Sequence, residues 1–161
     1  MSIIENCVKW AIMYNKGMDN QFELIVRAFI VRDKKILVCQ THGRDYFFLP
    51  GGHVEFSETL HDALSRELYE EMGARMRGAQ FIGGIENIFV QDGQKKHEVS
   101  FVFHTDIDIE TVVSQEDHVS FYWFTMEEFI EKNIVPPVLK DAIVQWTAEK
   151  DIFFIESSSN I

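Results

Sequence analysis

The segment from Leu49 to Ala74 constrains the fold of this chain more than any other, because a glycine-containing turn runs into an amphipathic helix. Ser57 is predicted to be the N-cap of that helix, with Glu58 in the first turn, where the helix dipole favours an anion. Gly73 is predicted to end the helix. At about 100° of rotation per residue, one face carries the apolar side chains that face the core: Leu60, Ala63, Leu64, Leu68 and Met72.

Acidic side chains project from this apolar face. Glu67 and Glu71 lie within its arc, and Glu70 lies at its edge. Carboxylates spaced i, i+3 and i+4 repel one another, and burying them without compensation costs roughly several kcal/mol or forces protonation. A solvated acidic face is the ordinary alternative, but these glutamates point in the same direction as the leucines. The pattern therefore favours a divalent cation that prefers oxygen ligands, Mg²⁺ or Mn²⁺.

The spacing of these residues also matches a known motif. Five residues separate Gly52 from Glu58, seven more precede Arg66, and the run continues as Glu67-Leu68, Glu70-Glu71 and Gly73-Ala74. This segment resembles the Nudix box, with every fixed position filled. The resemblance implies one Nudix-type hydrolase domain over residues 1–161, with an α/β fold in which a mixed β-sheet lies between helices as an α/β/α sandwich. Residues 1–20 are then an N-terminal extension, and residues 156–161 are expected to be a frayed tail.

The resemblance implies an enzyme that depends on Mg²⁺, with Mn²⁺ as an alternative, and that hydrolyses the diphosphate linkage of a small nucleoside diphosphate derivative. Two substrate classes stay open: nucleotide sugars such as ADP-ribose, and nucleoside triphosphates. The alternative function is a non-catalytic module of the same fold that senses a ligand or binds a partner. Such relatives typically lose box glutamates, and all of them are present here.

Within the box, the resemblance implies a role for each charged residue. The expected cation ligands are the carboxylates of Glu67, Glu70 and Glu71 and the backbone carbonyl of Gly52. Arg66 projects from the helix on the side opposite the apolar face, and we expect it to hold the box together with Glu58 as its partner. The expected structural residues of the box are Gly52, Glu58, Arg66 and Gly73.

The general base stays open between the box and the later strands. Glu70 and Glu71 are the candidates within the box. Glu98 is a further candidate, because it begins a strand-like segment, although an ordinary solvent-facing role fits it equally well. Glu116, in an acidic loop, and Glu86 are less favoured candidates.

Substrate phosphates need local positive charge, and two arginines are placed to supply it. Arg27 interrupts an otherwise apolar strand, where many Nudix relatives direct an arginine towards phosphate, and Arg44 lies in the loop before the box. A solvent-exposed arginine on an edge strand is the alternative for Arg27. Tyr46, Phe47 and Phe89 are candidates for stacking on a nucleobase, although such rings more often belong to the core.

The composition limits the partners of the chain. With 161 residues and a net charge of −11, it suits one globular domain and lacks the clustered cations that a nucleic-acid polymer requires. Two cysteines form no disulfide framework or metal pattern, which favours a reducing cytoplasm. We expect no membrane span, no secretory signal and a small phosphorylated nucleotide as the partner. The aromatic-rich segments are compatible with a homodimer, but no pattern marks an interface.

The remaining segments alternate between strands and helices. Residues 22–31 and 34–41 are predicted to pair as a hairpin through the turn at Arg32, Asp33 and Lys34, and a second hairpin is predicted to turn at Asp92-Gly93. A strand at 121–124 is followed by a capping-box signal at Thr125, and Pro136-Pro137 precedes a last helix. This order predicts a mixed sheet between helices.

Overall fold

The computed structural model describes residues 21–158, so the expected N-terminal extension lies outside the described residues. In chain order, its elements are β1 (Gln21–Phe29), β2 (Val31–Arg32), β3 (Lys35–Thr41), α1 (Leu60–Met72), β4 (Met76–Gln91), β5 (Gln94–Ile107), β6 (Val119–Thr125), α2 (Met126–Glu131), α3 (Val138–Glu149) and β7 (Phe153–Ser158). None of these helices is long and apolar enough to span a membrane.

The central sheet is mixed, with the strand order β1-β5-β4-β7. β4 and β5 pair antiparallel, whereas β1 pairs parallel with β5 and β7 pairs parallel with β4. A second, antiparallel sheet has the order β2-β3-β6. The predicted α/β class with a mixed sheet is therefore confirmed, and the fold adds a small second sheet that the sequence pattern did not separate from the first.

The first predicted hairpin is only partly correct. Asp33 and Lys34 form a tight turn with positive φ angles, and Val31 pairs with Ile36 across it. The longer strand β1 does not continue this pairing and instead lies beside β5 in the other sheet. Parallel partners are distant in the sequence, so no turn residue marks them.

The second predicted hairpin is confirmed. β4 and β5 are joined by Asp92 and Gly93, both with positive φ, as a two-residue hairpin turn requires. The later predictions also hold, because Thr125 caps α2 through a complete capping box with Glu128, and α3 follows Pro137 directly.

Helix α1 begins two residues later than predicted. Thr59 is the N-cap, and its side chain accepts from the Asp62 N–H, whereas Ser57 precedes the helix with a φ of 68°. Glu58 therefore lies before the helix and accepts from the Glu55 N–H in the preceding turn. The predicted C-terminus is correct, because Gly73 has a φ of 69° and its N–H bonds back into the last turn.

Helix α1 covers one face of the mixed sheet. Its apolar side chains Ala63, Leu64 and Leu68 are fully buried against residues of β1 and β5 such as Ala28 and Phe103. Burying a leucine contributes roughly 1.5–3 kcal/mol, so this contact fixes the helix and the glutamates on it. On the other face, the second core joins α3 to the same sheet through Phe29, Ile85, Ile143 and Trp146. The helices thus lie on both sides of the sheet, as expected.

The predicted frayed tail is wrong for its first three residues. Residues 156–158 belong to β7 and pair with residues 86–88 of β4. A strand at the edge of a sheet is held by backbone hydrogen bonds and by anchoring side chains, so polar serines do not prevent it from pairing. Phe153 supplies the anchor, because its ring fills the space where Gly83 has no side chain.

Candidate functional site

The turn at Gly51 and Gly52 is bound to strand β1. The Val26 N–H donates to the Gly52 carbonyl at 2.9 Å, and the Ala28 N–H donates to the Pro50 carbonyl at 2.8 Å. Gly51 has a φ of 124°, and a Cβ there would collide with the Val26 carbonyl oxygen. Only glycine allows the turn to approach the strand this closely.

Glu71 of α1 is directed at this turn from within the protein. Glu71 is only 7% exposed, and its Oε2 accepts from the Gly51 N–H at 3.0 Å. The pKa of Glu71 is raised from its ordinary value of 4.5 to about 8, chiefly by burial. The charges of Glu67 and Glu116 add to this rise, and the Gly51 hydrogen bond and Arg27 oppose it. A nearby cation would stabilise the ionised form of this buried carboxylate.

Glu67 lies against the next residue of the same turn, Gly52. A Cβ at Gly52 would collide with the Glu67 carboxylate, so the glycine leaves the space that this carboxylate fills. The Glu67 side chain is 16% exposed. The inward direction predicted for Glu67 and Glu71 is therefore confirmed, whereas Glu70 is 55% exposed and extends away from the core.

Arg66 forms hydrogen bonds with three acidic side chains, those of Glu58, Glu67 and Glu70. Its Nε and Nη2 atoms both donate to the Glu58 carboxylate at 2.9 Å, and its Nη1 donates to Glu67 at 2.7 Å and to Glu70 at 3.0 Å. A further bond from Nη2 reaches the His53 carbonyl. These bonds raise the pKa of Arg66 and lower that of Glu58. The predicted contact between Arg66 and Glu58 is present.

The donor set fits a divalent cation in its chemistry. Two carboxylates, Glu67 and Glu71, flank a turn that also offers carbonyl oxygens, and such hard oxygen donors suit Mg²⁺ and Mn²⁺. The Gly52 carbonyl already accepts from Val26, which leaves one lone pair. Over residues 21–158, no three His, Cys, Asp or Glu side chains converge into a complete cation cage. In this structure Glu67 and Glu70 form ion pairs with Arg66.

Arg27 connects the turn to a neighbouring pocket. Its Nη1 donates to the Leu49 carbonyl at 3.2 Å and to the Gly51 carbonyl at 2.7 Å, and its guanidinium lies 5.3 Å from the centre of the Phe48 ring. No residue among 21–158 accepts from its Nη2 or Nε, so these donors can serve another acceptor. Arg27 also lines a pocket of about 580 Å³, so this arginine links the glycine turn and the pocket.

The pocket lies between the mixed sheet and the segments that pack over it. Glu98 lines it and accepts from Ser100 Oγ at 2.7 Å, and Tyr46 and Phe89 line it as well. Phe47 does not line the pocket, because its ring packs against Tyr122 and Phe124. Its position agrees with the core alternative.

Arg44 lies beside this region without lining it. Its Nη2 forms an exposed ion pair with Asp92 at 3.4 Å, which connects the loop before the box to the β4–β5 turn. The Gln91 side chain joins the same two segments, because its Nε2 donates to the Tyr46 hydroxyl at 3.4 Å. Exposed ion pairs of this kind contribute little to stability, on the order of 0–1 kcal/mol.

Two features of the site had weak signals in the sequence. Glu116 contributes to the pKa shift of Glu71 although it is distant along the chain, and only its place in an acidic loop drew attention to it. Asn87 and Ser157 line the pocket, and their sequence signal is weak because each follows a glutamate in a polar stretch of its strand. Both strands present these residues to the same side because the register pairs them.

Comparisons with known proteins identify the family of this chain. The NUDIX domain model matches residues 22–146. An uncharacterized Nudix hydrolase of Nostoc sp. is 35% identical over 131 residues, which cover 74% of this chain and 72% of that protein. A MutT protein of Methanosarcina mazei has the same fold, with a TM-score of 0.67 at 22% identity over 83% of this chain and 99% of that one. The chain belongs to the Nudix family.

A mouse protein named diphosphoinositol polyphosphate phosphohydrolase 3-alpha is also similar, at 31% identity over 103 residues. The match covers 62% of this chain and 59% of that protein. This chain therefore aligns with about three fifths of the length of that relative.

Proposed function

We propose that this chain is a divalent-cation-dependent pyrophosphohydrolase that cleaves the diphosphate linkage of a small nucleoside diphosphate derivative. The candidate substrates are nucleotide sugars such as ADP-ribose and nucleoside triphosphates. The observation that carries the proposal is the buried Glu71 carboxylate, which meets the Gly51 N–H beside Glu67 and is joined to an adjacent pocket through Arg27. The names of the relatives, which include a phosphohydrolase, support this reaction class.

The acidic residues of α1 are the proposed cation ligands. Glu67, Glu70 and Glu71 would hold Mg²⁺ or Mn²⁺ together with the Gly52 carbonyl. When bound, such a cation neutralises charge on the diphosphate and makes water a better nucleophile. Arg66 and Glu58 are positioning residues in this proposal, because their doubly hydrogen-bonded pair fixes the N-terminal half of the helix relative to the turn.

In the reaction, the oxygen of a water molecule bonds to one phosphorus, the bridging P–O bond breaks, and the bridging oxygen leaves with the other fragment. Arg27 is the proposed phosphate contact, since two carbonyls accept from its Nη1 and no residue among 21–158 accepts from its Nη2 or Nε. Arg44 is the proposed second contact at the rim, where a substrate phosphate would replace Asp92 as its partner.

A base must remove the proton of the attacking water, and the sequence offers Glu70, Glu71 and Glu98 as candidates, with Glu116 and Glu86 less favoured. A base acts within hydrogen-bonding reach of the water, which favours carboxylates near the Gly51 turn. Glu116 is the carboxylate outside α1 whose charge affects Glu71, whereas Glu98 lies on the wall of the pocket. We therefore favour Glu116 over Glu98 for this role, with Glu71 as the candidate on the helix.

The experiment is a substrate panel assayed with Mg²⁺, with Mn²⁺ and with EDTA, in which the products are separated as monophosphate, phosphate and pyrophosphate. We expect cation-dependent release of two phosphorylated fragments from at least one nucleotide sugar or nucleoside triphosphate. Glu70→Gln should reduce kcat by at least about a hundredfold without unfolding the protein, since Glu70 is exposed. Binding of nucleotides without turnover of any substrate would instead support the non-catalytic alternative.

A further inference from the structure

The pocket beside Arg27 carries little charge. Of its lining residues, Arg27 is the cation and Glu98 is the anion, and the others are aromatic, aliphatic, amide or hydroxyl side chains. A volume of about 580 Å³ is within the range of about 300–1,000 Å³ typical of small-molecule sites. A ring that carries several phosphates requires several arginines or lysines. The pocket therefore fits a neutral ring, with one phosphate-bearing end near Arg27.

Aromatic side chains form much of the wall. Tyr46 and Phe48 come from the segment before the box, with their ring centres 6.5 Å apart, and Phe89 comes from β4. Planar heterocycles stack favourably on such rings. The chemistry of the wall agrees with a nucleobase.

Two polar side chains of the sheet, Asn87 and Glu98, can distinguish one nucleobase from another. Asn87 of β4 and Glu98 of β5 are directly paired across the two strands, so their side chains lie on the same face and both line the pocket. Within residues 21–158, no hydrogen bond engages the Asn87 amide. Glu98 gives one oxygen to Ser100 and keeps further lone pairs for a ligand.

A carboxylate beside a free amide matches the hydrogen-bonding edge of guanine. Guanine presents its N1–H and N2–H donors side by side, next to the O6 acceptor. A carboxylate accepts from both donors, and the amide N–H donates to O6. Adenine places its N1 acceptor where guanine has a donor, which would direct a lone pair at the carboxylate. Hypoxanthine lacks the N2–H group.

We propose that this pocket selects guanine, through Glu98 and Asn87, and that the substrate is a guanine nucleoside diphosphate derivative. The inference rests on the proposed function, because it names the substrate class for the same site. Arg27 lies between the pocket and the glycine turn, so a base in the pocket leaves its diphosphate directed towards the acidic residues of α1.

The direct test is calorimetric titration of the full chain with GMP, IMP and AMP, which contain no diphosphate linkage to hydrolyse. We expect GMP to bind at least about tenfold more tightly than AMP or IMP. AMP lacks the N1–H donor and IMP lacks the N2–H donor, and Glu98 accepts from both of these groups in GMP. Equal affinity for GMP and AMP would overturn the proposal.

Two variants and a control locate the selectivity. Glu98→Gln replaces the carboxylate with an amide that complements the adenine edge, so the ratio of GMP to AMP affinity should fall by about tenfold. Asn87→Ala should weaken GMP binding. Glu156→Gln makes the same chemical change on an exposed residue of β7 outside the pocket lining, and it should leave the ratio unchanged. If Glu98→Gln behaves like Glu156→Gln, the assignment of Glu98 is wrong.

Turnover separates this inference from the proposed function. With Mg²⁺, GDP-mannose should be cleaved with a higher kcat/KM than ADP-ribose, and dGTP with a higher kcat/KM than dATP. Whichever guanine compound is cleaved faster shows whether the substrate is a nucleotide sugar or a nucleoside triphosphate. Preference for the adenine compounds would overturn guanine selection while leaving the proposed hydrolysis intact. Selective GMP binding without turnover of any compound would sustain guanine selection and contradict hydrolysis.

The role of Glu98 is distinguished by steady-state kinetics. As a recognition residue, its replacement by Gln should raise KM for the guanine substrate and leave the pH dependence of kcat unchanged. Loss of one limb of the pH profile with an unchanged KM would instead make Glu98 the general base and overturn its assignment to base recognition.

Discussion

Replacing Glu71 with glutamine tests whether a carboxylate is truly buried at the Gly51 turn. In the absence of divalent cations, an acid whose pKa is about 8 in the folded protein and about 4.5 in the unfolded chain disfavours folding at high pH. The penalty is absent below pH 4.5, grows as the pH rises from 4.5 towards 8, and is constant above that window. Glu71→Gln removes the charge and should therefore stabilise the cation-free protein at pH 8.

The magnitude follows from the pKa difference. One pKa unit corresponds to about 1.36 kcal/mol, so the full difference for Glu71 would be about 4 kcal/mol at pH 8. Glutamine keeps an oxygen that accepts from the Gly51 N–H, but its buried NH₂ group loses hydrogen bonds to water at a cost of roughly 1–3 kcal/mol. We expect a net gain of about 1–3 kcal/mol at pH 8 and a net loss of similar size at pH 4.

The assay is urea denaturation in EDTA, measured at several pH values between 4 and 8.5 for the wild type, Glu71→Gln and the control Glu70→Gln. Glu70 is half exposed, so its replacement should change the free energy of unfolding by less than about 1 kcal/mol at every pH. Added Mg²⁺ should stabilise the wild type more than Glu71→Gln, because only the wild type keeps the carboxylate. A difference between Glu71→Gln and the wild type that does not vary with pH would refute the reasoning.

Other substitutions probe the remaining parts of the site. Gly52→Ala should displace the Glu67 carboxylate and reduce Mg²⁺ affinity in a calorimetric titration by about tenfold or more, because the added Cβ collides with it. Arg66→Lys should lower kcat and the melting temperature together, since lysine cannot form the paired bonds to Glu58; unchanged values would contradict a positioning role. Thr59→Ala should cost about 1 kcal/mol in the free energy of unfolding without affecting KM, because it removes only the cap of α1.

The parts of the fold that were predicted correctly are the local ones. Gly73 and the Asp92-Gly93 turn specify backbone conformations by themselves, and the apolar period of α1 fixes which glutamates point inward. The N-cap was misplaced because both Ser57 and Thr59 carry suitable hydroxyls, and only the backbone geometry decides between them. Helix ends are generally uncertain by one or two residues for this reason.

The parts that the sequence did not reveal depend on contacts between distant segments. The parallel pairing of β1 with β5 joins residues more than seventy positions apart, such as Val26 with Phe101, and no turn signals it. The proximity of Glu116 to Glu71 has the same origin, because a loop of no regular pattern is brought to the helix by the Gln115 N–H, which donates to the Glu71 carbonyl. The pairing of Asn87 with Glu98 is local by contrast, because both residues belong to the hairpin that turns at Asp92 and Gly93.

Strand β7 has a consequence for how the protein is made. Ser157 and Ser158 contribute to the pocket, whereas Arg27 on its opposite side is translated some 130 residues earlier. During synthesis the acidic helix is therefore complete well before the two serines that line the pocket, and a chain that ends before residue 153 carries the box without this part of the pocket wall. Such a fragment would retain the signature that identifies the family and would lack part of the surface that meets the ligand.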